Sequence, residues 1–229
     1  MESVWEYRYL LLNGTVVTVQ LAVGSLILSV ALGLAGASAK LAHNPVSNRF
    51  ASAYTTLVRG VPDLVLMMLL FYGGQQIVNE LGTVTGWWDY LEIDQFIAGI
   101  GSIGFVFGAY MTETFRGAIL AIPRGQIEAG ISCGMTNLTI FFRITWPQMV
   151  RHALPGFTNN WLVLIKATAL VSVIGLHDVV WNASTAGRSV REPFTFMFAV
   201  LLIYLALTAI SDIGLRWLGR RYSAGVRPA

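Results

Sequence analysis

The stretch LLLNGTVVTVQLAVGSLILSVALGLAGASA, residues 10–39, decides the class of fold because it contains no charged residue. A helix needs only about 20 predominantly apolar residues to cross a bilayer, and these 30 residues exceed that length. A second uncharged stretch runs from Pro193 to Ser211. The chain is 55% hydrophobic and 12% charged, with a mean hydropathy of +0.63. Soluble domains carry about 25% charged residues, so the composition indicates a membrane protein.

Apolar runs along the chain predict five membrane-spanning helices. We place them at about residues 10–37, 61–79, 96–115, 153–176 and 194–215. The segment Tyr54 to Thr56, just before the second span, is also compatible with a helix at the membrane. We therefore expect an all-α membrane protein in which residues 1–229 form a single transmembrane domain.

Lysine and arginine are distributed unevenly between the two sides of this predicted arrangement. The opposite-side segments contain three such residues, Arg8, Arg188 and Arg191. The segments 38–60, 116–152 and 216–229 contain eleven: Lys40, Arg49, Arg59, Arg116, Arg124, Arg143, Arg151, Arg216, Arg220, Arg221 and Arg227. Because cytoplasmic loops are enriched in cations, the N-terminus is predicted outside and the C-terminus in the cytoplasm. The net charge of +3 follows from this topology, and nucleic-acid binding is not needed to explain it.

The first apolar run has a second interpretation, as a signal peptide. Ala37-Ser38-Ala39 resembles a cleavage site. However, the run is too long for the apolar core of a signal peptide, and Glu2 and Glu6 outweigh Arg8 in front of it. We therefore expect a first membrane helix.

Residues 116–152 form a polar segment between the third and fourth predicted spans. Each charge in it would cost roughly 2.5 to 3.5 kcal/mol at the bilayer centre, which argues against burial in the membrane. Four apolar residues in this segment follow helical spacing: Ile127, Ile131, Met135 and Leu138. The segment is either an ordinary surface helix or a docking element for a soluble partner, and its length favours docking.

Several kinds of active site are excluded by the sequence. A P-loop requires Gly-Lys-Ser/Thr, but Ala39 precedes Lys40 and Ile165 precedes Lys166, the only two lysines. The three histidines are scattered, and neither HExxH nor GxSxG occurs. The one cysteine, Cys133, rules out an internal disulfide. We expect no catalytic residue, no metal site and no cofactor in this chain, and any ATP hydrolysis must come from another polypeptide.

The segment around Glu128 resembles the "EAA" loop of permease subunits in bacterial ABC importers. That pattern is Glu-Ala-Ala, three residues, Gly, about nine residues, then Ile-x-x-Pro. Here it reads Glu128-Ala129-Gly130, Gly134, Ile144 and Pro147, with Gly in place of the second Ala.

Further motifs resemble the polar amino-acid branch of that family. They are Arg59-Gly60-Val61-Pro62, Gly108-Ala109-Tyr110-x-x-Glu113-x-x-Arg116-Gly117, Pro123-x-Gly125-Gln126, Leu154-Pro155 and the stretch 164–172. Within the branch, residues 54–67 and 220–226 look like the HisQ-type permease family, which takes up histidine, lysine, arginine and ornithine.

This resemblance implies a type I, MetI-like permease fold in the bacterial inner membrane, with residues 117–152 as the cytoplasmic coupling loop. It implies three kinds of partner besides the lipid bilayer: a HisM-type second permease, two ATP-binding subunits that hold ATP and Mg, and a periplasmic amino-acid-binding protein. Docking to the ATPase would fall to Glu128, Ala129, Gly130, Gly134 and Pro147. An importer of arginine alone or of a neutral polar amino acid is the nearest alternative, and a stand-alone channel or membrane scaffold is the alternative from another class.

Two acidic residues are candidates for the substrate path. Asp63 stands where many permeases resembling this one have an apolar residue, so it either attracts a cationic substrate side chain or pairs with Arg59. Glu113 either lines the path or pairs with Arg116 three residues later. Tyr110 lies in the same motif as Glu113 and is included with them.

The fourth predicted span adds two more candidates for the path. Lys166 would meet a substrate carboxylate or pair with an acid on a neighbouring helix. Asn160, like Asn159, would line the path or join two helices by hydrogen bonds. In the third span, Gly104 and Gly108 have GxxxG spacing, which favours close helix packing over contact with substrate.

Overall fold

The computed structural model describes the backbone of residues 2–223 and the side chains of residues 3–222. The end of the HisQ-like match, residues 224–226, and the cation Arg227 lie outside the described residues. The described helices are α1 Glu2–Glu6, α2 Arg8–Leu41, α3 Pro45–Gly60, α4 Asp63–Met68, α5 Gly74–Thr85, α6 Gln95–Leu120, α7 Arg124–Ser132, α8 Asn137–Ile140, α9 Trp146–Ala167, α10 Val179–Ser189 and α11 Pro193–Ser223.

Two π-helical turns and one 3₁₀ segment connect or extend some of these α-helices, so that they form longer continuous helices. A π-helical turn, Leu69–Gly73, links α4 to α5, and another, Phe141–Thr145, links α8 to α9. A 3₁₀ segment, Thr168–Ile174, continues α9. Such departures from α-helical geometry occur where a helix bends or adapts to a neighbour.

Within residues 2–223, five helical segments are long and apolar enough to cross a membrane. They are Arg8–Leu41, Asp63–Thr85, Gln95–Leu120, Asn137–Ile174 and Pro193–Tyr222. The predicted all-α fold with five spans is thus confirmed. Four of the spans begin within two residues of the predicted position.

The fourth span begins much earlier than predicted, at Asn137 instead of near residue 153. Its 38 residues extend over about 57 Å, at about 1.5 Å per residue, whereas the apolar core of a bilayer is about 30 Å thick. The first part of this helix, with Arg143 and Arg151, is therefore free to project beyond the membrane. The prediction missed it because polarity marks the edge of the membrane and not the end of a helix.

The core of the protein lies along the contact between α2 and α6. Leu21, Ile103, Val106 and Phe107 are completely or almost completely buried there. A Cβ atom added at Gly104 would lie 2.6 Å from the Leu28 side chain. This distance is too short for any side chain, so the structure supports the interpretation that this glycine serves close helix packing.

Helix α3 packs onto α2 and α6, although it follows the polar connection after the first span. The Asn44 side chain caps its N-terminus by accepting a hydrogen bond of 2.9 Å from the Val46 amide. Ala51, Thr55 and Val58 form its buried face. The helix ends at Gly60, and the extended residues after it lead directly into α4.

Candidate functional site

The Glu113 carboxylate is held between two cations. It forms an ion pair with the Lys40 ammonium at the end of α2, and the Arg116 guanidinium lies 3.5 Å away. Only 10% of the Lys40 side chain and 25% of the Glu113 side chain are exposed. The predicted pair with Arg116 is present, whereas Lys40 was missed as a partner. Because two cations surround it, Glu113 ties α2 to α6 and offers little net attraction to a cationic substrate.

Asp63 lies in a different electrostatic environment. It is half-buried at the first position of α4, where a carboxylate interacts favourably with the helix N-terminus. The Tyr110 hydroxyl of α6 faces this carboxylate. Among residues 3–222, the ion pairs within 4.0 Å do not include Asp63, so the alternative pairing with Arg59 is not formed.

Arg59 instead interacts with the aromatic ring of Tyr110. The guanidinium carbon lies 5.7 Å from the ring centroid, which is within the range of a cation–π contact. Tyr110 therefore has Asp63 near its hydroxyl and Arg59 over its ring. The three side chains come from α3, α4 and α6 and form a cluster, which we call the Tyr110 cluster.

The two candidates on α9 have opposite environments. Asn160 is buried, and its amide donates a hydrogen bond of 3.0 Å to the Thr114 hydroxyl of α6. This geometry favours the interhelical alternative for Asn160. Lys166 is exposed, and the ion pairs of the described residues do not include it. Asn159 is also exposed and lies seven residues before Lys166, on the same face of α9.

The docking-loop candidates centre on α7 and the turn that follows it. Gly134 has φ +73°, and among the described residues a Cβ atom there would have no contact within 4 Å beyond its two chain neighbours. The Gly134 amide donates to the Ile131 carbonyl at 2.9 Å, and the Met135 amide donates to the Gly130 carbonyl at 3.0 Å. These two bonds end the helix in a Schellman motif, whose C′ position favours glycine. Within this chain, the left-handed turn therefore explains Gly134.

Gly130 is the glycine of this loop that packs closely within the chain. A Cβ atom there would lie 3.0 Å from Ile144 Cδ1 and 3.2 Å from Ile140 Cγ1. Glycine in place of the second Ala of the "EAA" pattern thus lets α7 approach the start of the fourth span.

The other docking candidates lie on the outside of this unit. Glu128, Ala129 and Pro147 are exposed. Ile131 and Leu138 are also exposed, by 57% and 69% of their surface, whereas Ile127 and Met135 are partly buried. The predicted apolar face therefore leaves at least two large side chains exposed on the outside of this chain.

Asp178 is a buried acid that the sequence interpretation did not consider. It precedes α10 in the connection between the fourth and fifth spans, and its Oδ1 accepts a hydrogen bond of 2.8 Å from the Trp181 amide. Its Oδ2 is buried and has no hydrogen-bond partner among the described residues. This burial raises the pKa of Asp178 to about 6. An Asp in front of the apolar start of a helix is an N-cap signal that could have found it.

Comparisons with known proteins identify the family. The description "binding-protein-dependent transport system inner membrane component" applies to the family that matches residues 29–224. The histidine/lysine/arginine/ornithine transport system permease protein HisQ of Salmonella typhimurium is 51% identical over 225 residues, which cover 98% of each chain. The arginine ABC transporter permease protein ArtQ of Haemophilus influenzae is 38% identical, over 95% of this chain and 96% of the relative.

Solved structures agree with this family. A crystal structure of an amino acid ABC transporter with histidines is 28% identical, covers 96% of this chain and 97% of that chain, and has a TM-score of 0.82. An inward-facing structure of the MetNI methionine ABC transporter, at 19% identity and a TM-score of 0.76, covers 95% of this chain and 98% of that chain and shares the fold. The relatives are permease components, and in this family ATP hydrolysis belongs to a separate subunit. The chain belongs to the family of binding-protein-dependent transport system inner membrane components, as a multi-pass protein of the inner membrane.

Proposed function

We propose that this chain is one permease subunit of an ATP-driven importer of the basic amino acids histidine, lysine, arginine and ornithine. The observation that carries the proposal is the Asp63 carboxylate, which is half-buried in a membrane protein and has no cation within ion-pair distance among residues 3–222. Intramembrane charges of this kind face a partner or a cavity. The relatives named for histidine, lysine, arginine and ornithine support the same substrates.

The candidate residues take different parts in this path. Asp63 receives the cationic side chain of the substrate, and the Tyr110 hydroxyl holds the carboxylate in place. Lys166, which is exposed on α9, meets the carboxylate of the substrate. Glu113 and Asn160 join α6 to α2 and α9 and so hold the wall of the path together.

The docking loop transmits motion from the ATPase to the membrane helices. In this proposal the N-terminus is outside, residues 117–152 and the C-terminus are cytoplasmic, and Ile131, Leu138, Glu128, Ala129, Gly134 and Pro147 meet an ATP-binding subunit. A HisM-type permease completes the path, two ATP-binding subunits hold ATP and Mg, and a periplasmic protein delivers the substrate. ATP shifts the equilibrium between inward and outward states only as far as its affinity for those states differs.

Gly134 offers a direct test of docking. It has two possible roles, to end α7 in a left-handed turn and to let the ATPase approach closely, and substitution by asparagine affects only the second. Asn tolerates a positive φ, so Gly134→Asn preserves the helix end but adds a side chain to the outside. Gly134→Val disturbs both the helix end and the approach of the ATPase. If the glycine is needed for close approach to the ATPase, Gly134→Asn hydrolyses ATP in the reconstituted assembly but loses uptake. Wild-type uptake per ATP in Gly134→Asn would contradict docking at this position.

An importer of arginine alone is the second candidate, supported by the 38% identity to ArtQ. Uptake of labelled arginine by the complete assembly in proteoliposomes, with histidine, lysine and glutamine as competitors, distinguishes the two. We expect histidine and lysine to compete and glutamine not to. Competition by none of them favours the arginine importer, and uptake by the permeases without ATPase subunits would indicate a stand-alone channel.

A further inference from the structure

Tyr54 fits into a notch on the surface of α6. Its hydroxyl donates a hydrogen bond of 2.5 Å to the backbone carbonyl of Phe105, and the two aromatic rings lie 4.9 Å apart. A Cβ atom added at Gly108 would lie 2.7 Å from the Tyr54 hydroxyl oxygen. Any other residue at position 108 would therefore push Tyr54 away. The notch fixes α3 at one place along α6.

The same two helices carry the Tyr110 cluster a short distance away. Arg59 lies five residues after Tyr54 on α3, and Tyr110 lies two residues after Gly108 on α6. Val58, between Tyr54 and Arg59, is only 1% exposed and packs in the core. The contact at Tyr54 therefore determines where Arg59 meets the ring of Tyr110.

The connection from α3 to Asp63 is short and rigid. Only Val61 and Pro62 separate the two helices, and both have extended backbones, with φ/ψ of −115°/142° and −57°/133°. The proline ring restricts φ, so a shift of α3 is passed on to Asp63 and is not absorbed by a flexible loop.

We propose that Tyr54 is a positioning residue for substrate selection: through the notch at Gly108 it holds Asp63 in the place where the cationic group of the substrate binds. The Tyr54 hydroxyl is engaged by Phe105 and does not itself contact the substrate. This inference rests on the proposed function, because it assumes that Asp63 receives the substrate side chain.

Equilibrium binding tests the inference on the purified transporter, with all permease and ATPase subunits but without the binding protein. The ligands are arginine and citrulline, which has nearly the same shape but an uncharged side chain. Tyr54→Phe keeps the ring against Phe105 and removes only the hydrogen bond. We expect this variant to bind arginine about fivefold more weakly, since a hydrogen bond contributes about 1 kcal/mol, and to bind citrulline as the wild type does.

The control is Tyr72→Phe, at an exposed tyrosine of the second span, which should leave the affinity for both ligands unchanged. An equal loss for arginine and citrulline in Tyr54→Phe would show a general loosening of the fold and would overturn the inference. So would an unchanged preference for arginine. If the wild-type transporter does not prefer arginine over citrulline, the proposed substrate role of Asp63 fails first, and the inference fails with it.

Discussion

Glu113 and Asp63 are both carboxylates in membrane helices, but their surroundings differ. Glu113 lies between Lys40 and Arg116, whereas Asp63 has the uncharged hydroxyl of Tyr110 as its neighbour and no ion-pair partner among the described residues. A carboxylate that is already neutralised stabilises the fold. One that lacks a cation can receive it from a substrate. From this difference we propose a structural role for Glu113 and a substrate role for Asp63, and the variants below test the two roles.

The largest effect is expected from Glu113→Gln. This change leaves the Lys40 ammonium, which is 10% exposed, without its carboxylate. Removal of one partner from a fully buried pair destabilises proteins by about 3 to 5 kcal/mol. Because this pair is only partly buried, we expect a loss at the lower end of that range, about 3 kcal/mol, and a marked fall in the apparent Tm of the purified transporter. Lys40→Gln combined with Glu113→Gln should recover much of the loss. A single variant as stable as the wild type would mean that Glu113 is not a structural acid.

Asp178 is a third acid, and it shows how a buried carboxylate without a paired cation among residues 3–222 affects the free energy of unfolding. Its pKa, raised to about 6 from the usual 3.8, means that the folded chain binds more protons than the unfolded chain between these pH values. The free energy of unfolding should therefore fall as the pH rises through this window, by at most about 3 kcal/mol. Asp178→Asn keeps the helix cap and should remove this pH dependence in thermal unfolding between pH 4 and 7. A slope that persists in the variant would assign the dependence to another group.

The same comparison can be made between two lysines. Lys40 is paired with Glu113, whereas the ion pairs of the described residues do not include Lys166. Because Lys166 is exposed and its proposed partner is the carboxylate of the substrate, Lys166→Gln should weaken binding of arginine and citrulline equally. We expect about a tenfold loss, equivalent to about 1.4 kcal/mol, with no change in Tm. A loss of stability without a loss of affinity would instead indicate a structural ion pair in the assembled transporter.

The smallest effect concerns the neighbouring asparagines of α9. Asn160 donates to Thr114, whereas Asn159 is exposed. Asn160→Ala should lower the stability by about 1 kcal/mol through the lost interhelical bond, and Asn159→Ala should be close to neutral. Denaturation of the two variants in detergent provides the measurement. A larger loss of stability in Asn159→Ala than in Asn160→Ala would contradict the structural role of Asn160 and favour a place in the substrate path.

Composition was sufficient to predict the five spans, because the length and polarity of a membrane helix are local properties of the sequence. The end of α7 could also have been predicted, because a glycine after a helical stretch indicates a left-handed C′ position. From the sequence, Gly134 was assigned only to docking. The N-cap role of Asp178 had a local signal as well.

The partners of Glu113 and Tyr54 could not be predicted in the same way. Lys40 lies 73 residues from Glu113, and Tyr54 lies 51 residues from Phe105. These pairs depend on how α2 and α3 are placed against α6, and the sequence pattern of a single helix does not contain that placement. A weak indication existed for Lys40, since the first and third predicted spans end on the same side and bring their last charges to a similar depth.

The central claim is that Asp63 has no ion-pair partner among residues 3–222 because the substrate provides the cation. Binding of arginine and citrulline to the purified transporter without its binding protein tests this claim most directly. The variant is Asp63→Asn, and the control is Asp212→Asn, at a partly exposed acid of α11 that is paired with Arg216 at 2.7 Å. We predict that Asp63→Asn lowers the affinity for arginine at least about tenfold, since a hydrogen bond to a charged group contributes about 1.5 to 3 kcal/mol. Its affinity for citrulline should not change, and Asp212→Asn should bind both ligands as the wild type does. Equal losses for the two ligands, or no loss for arginine, would contradict the account.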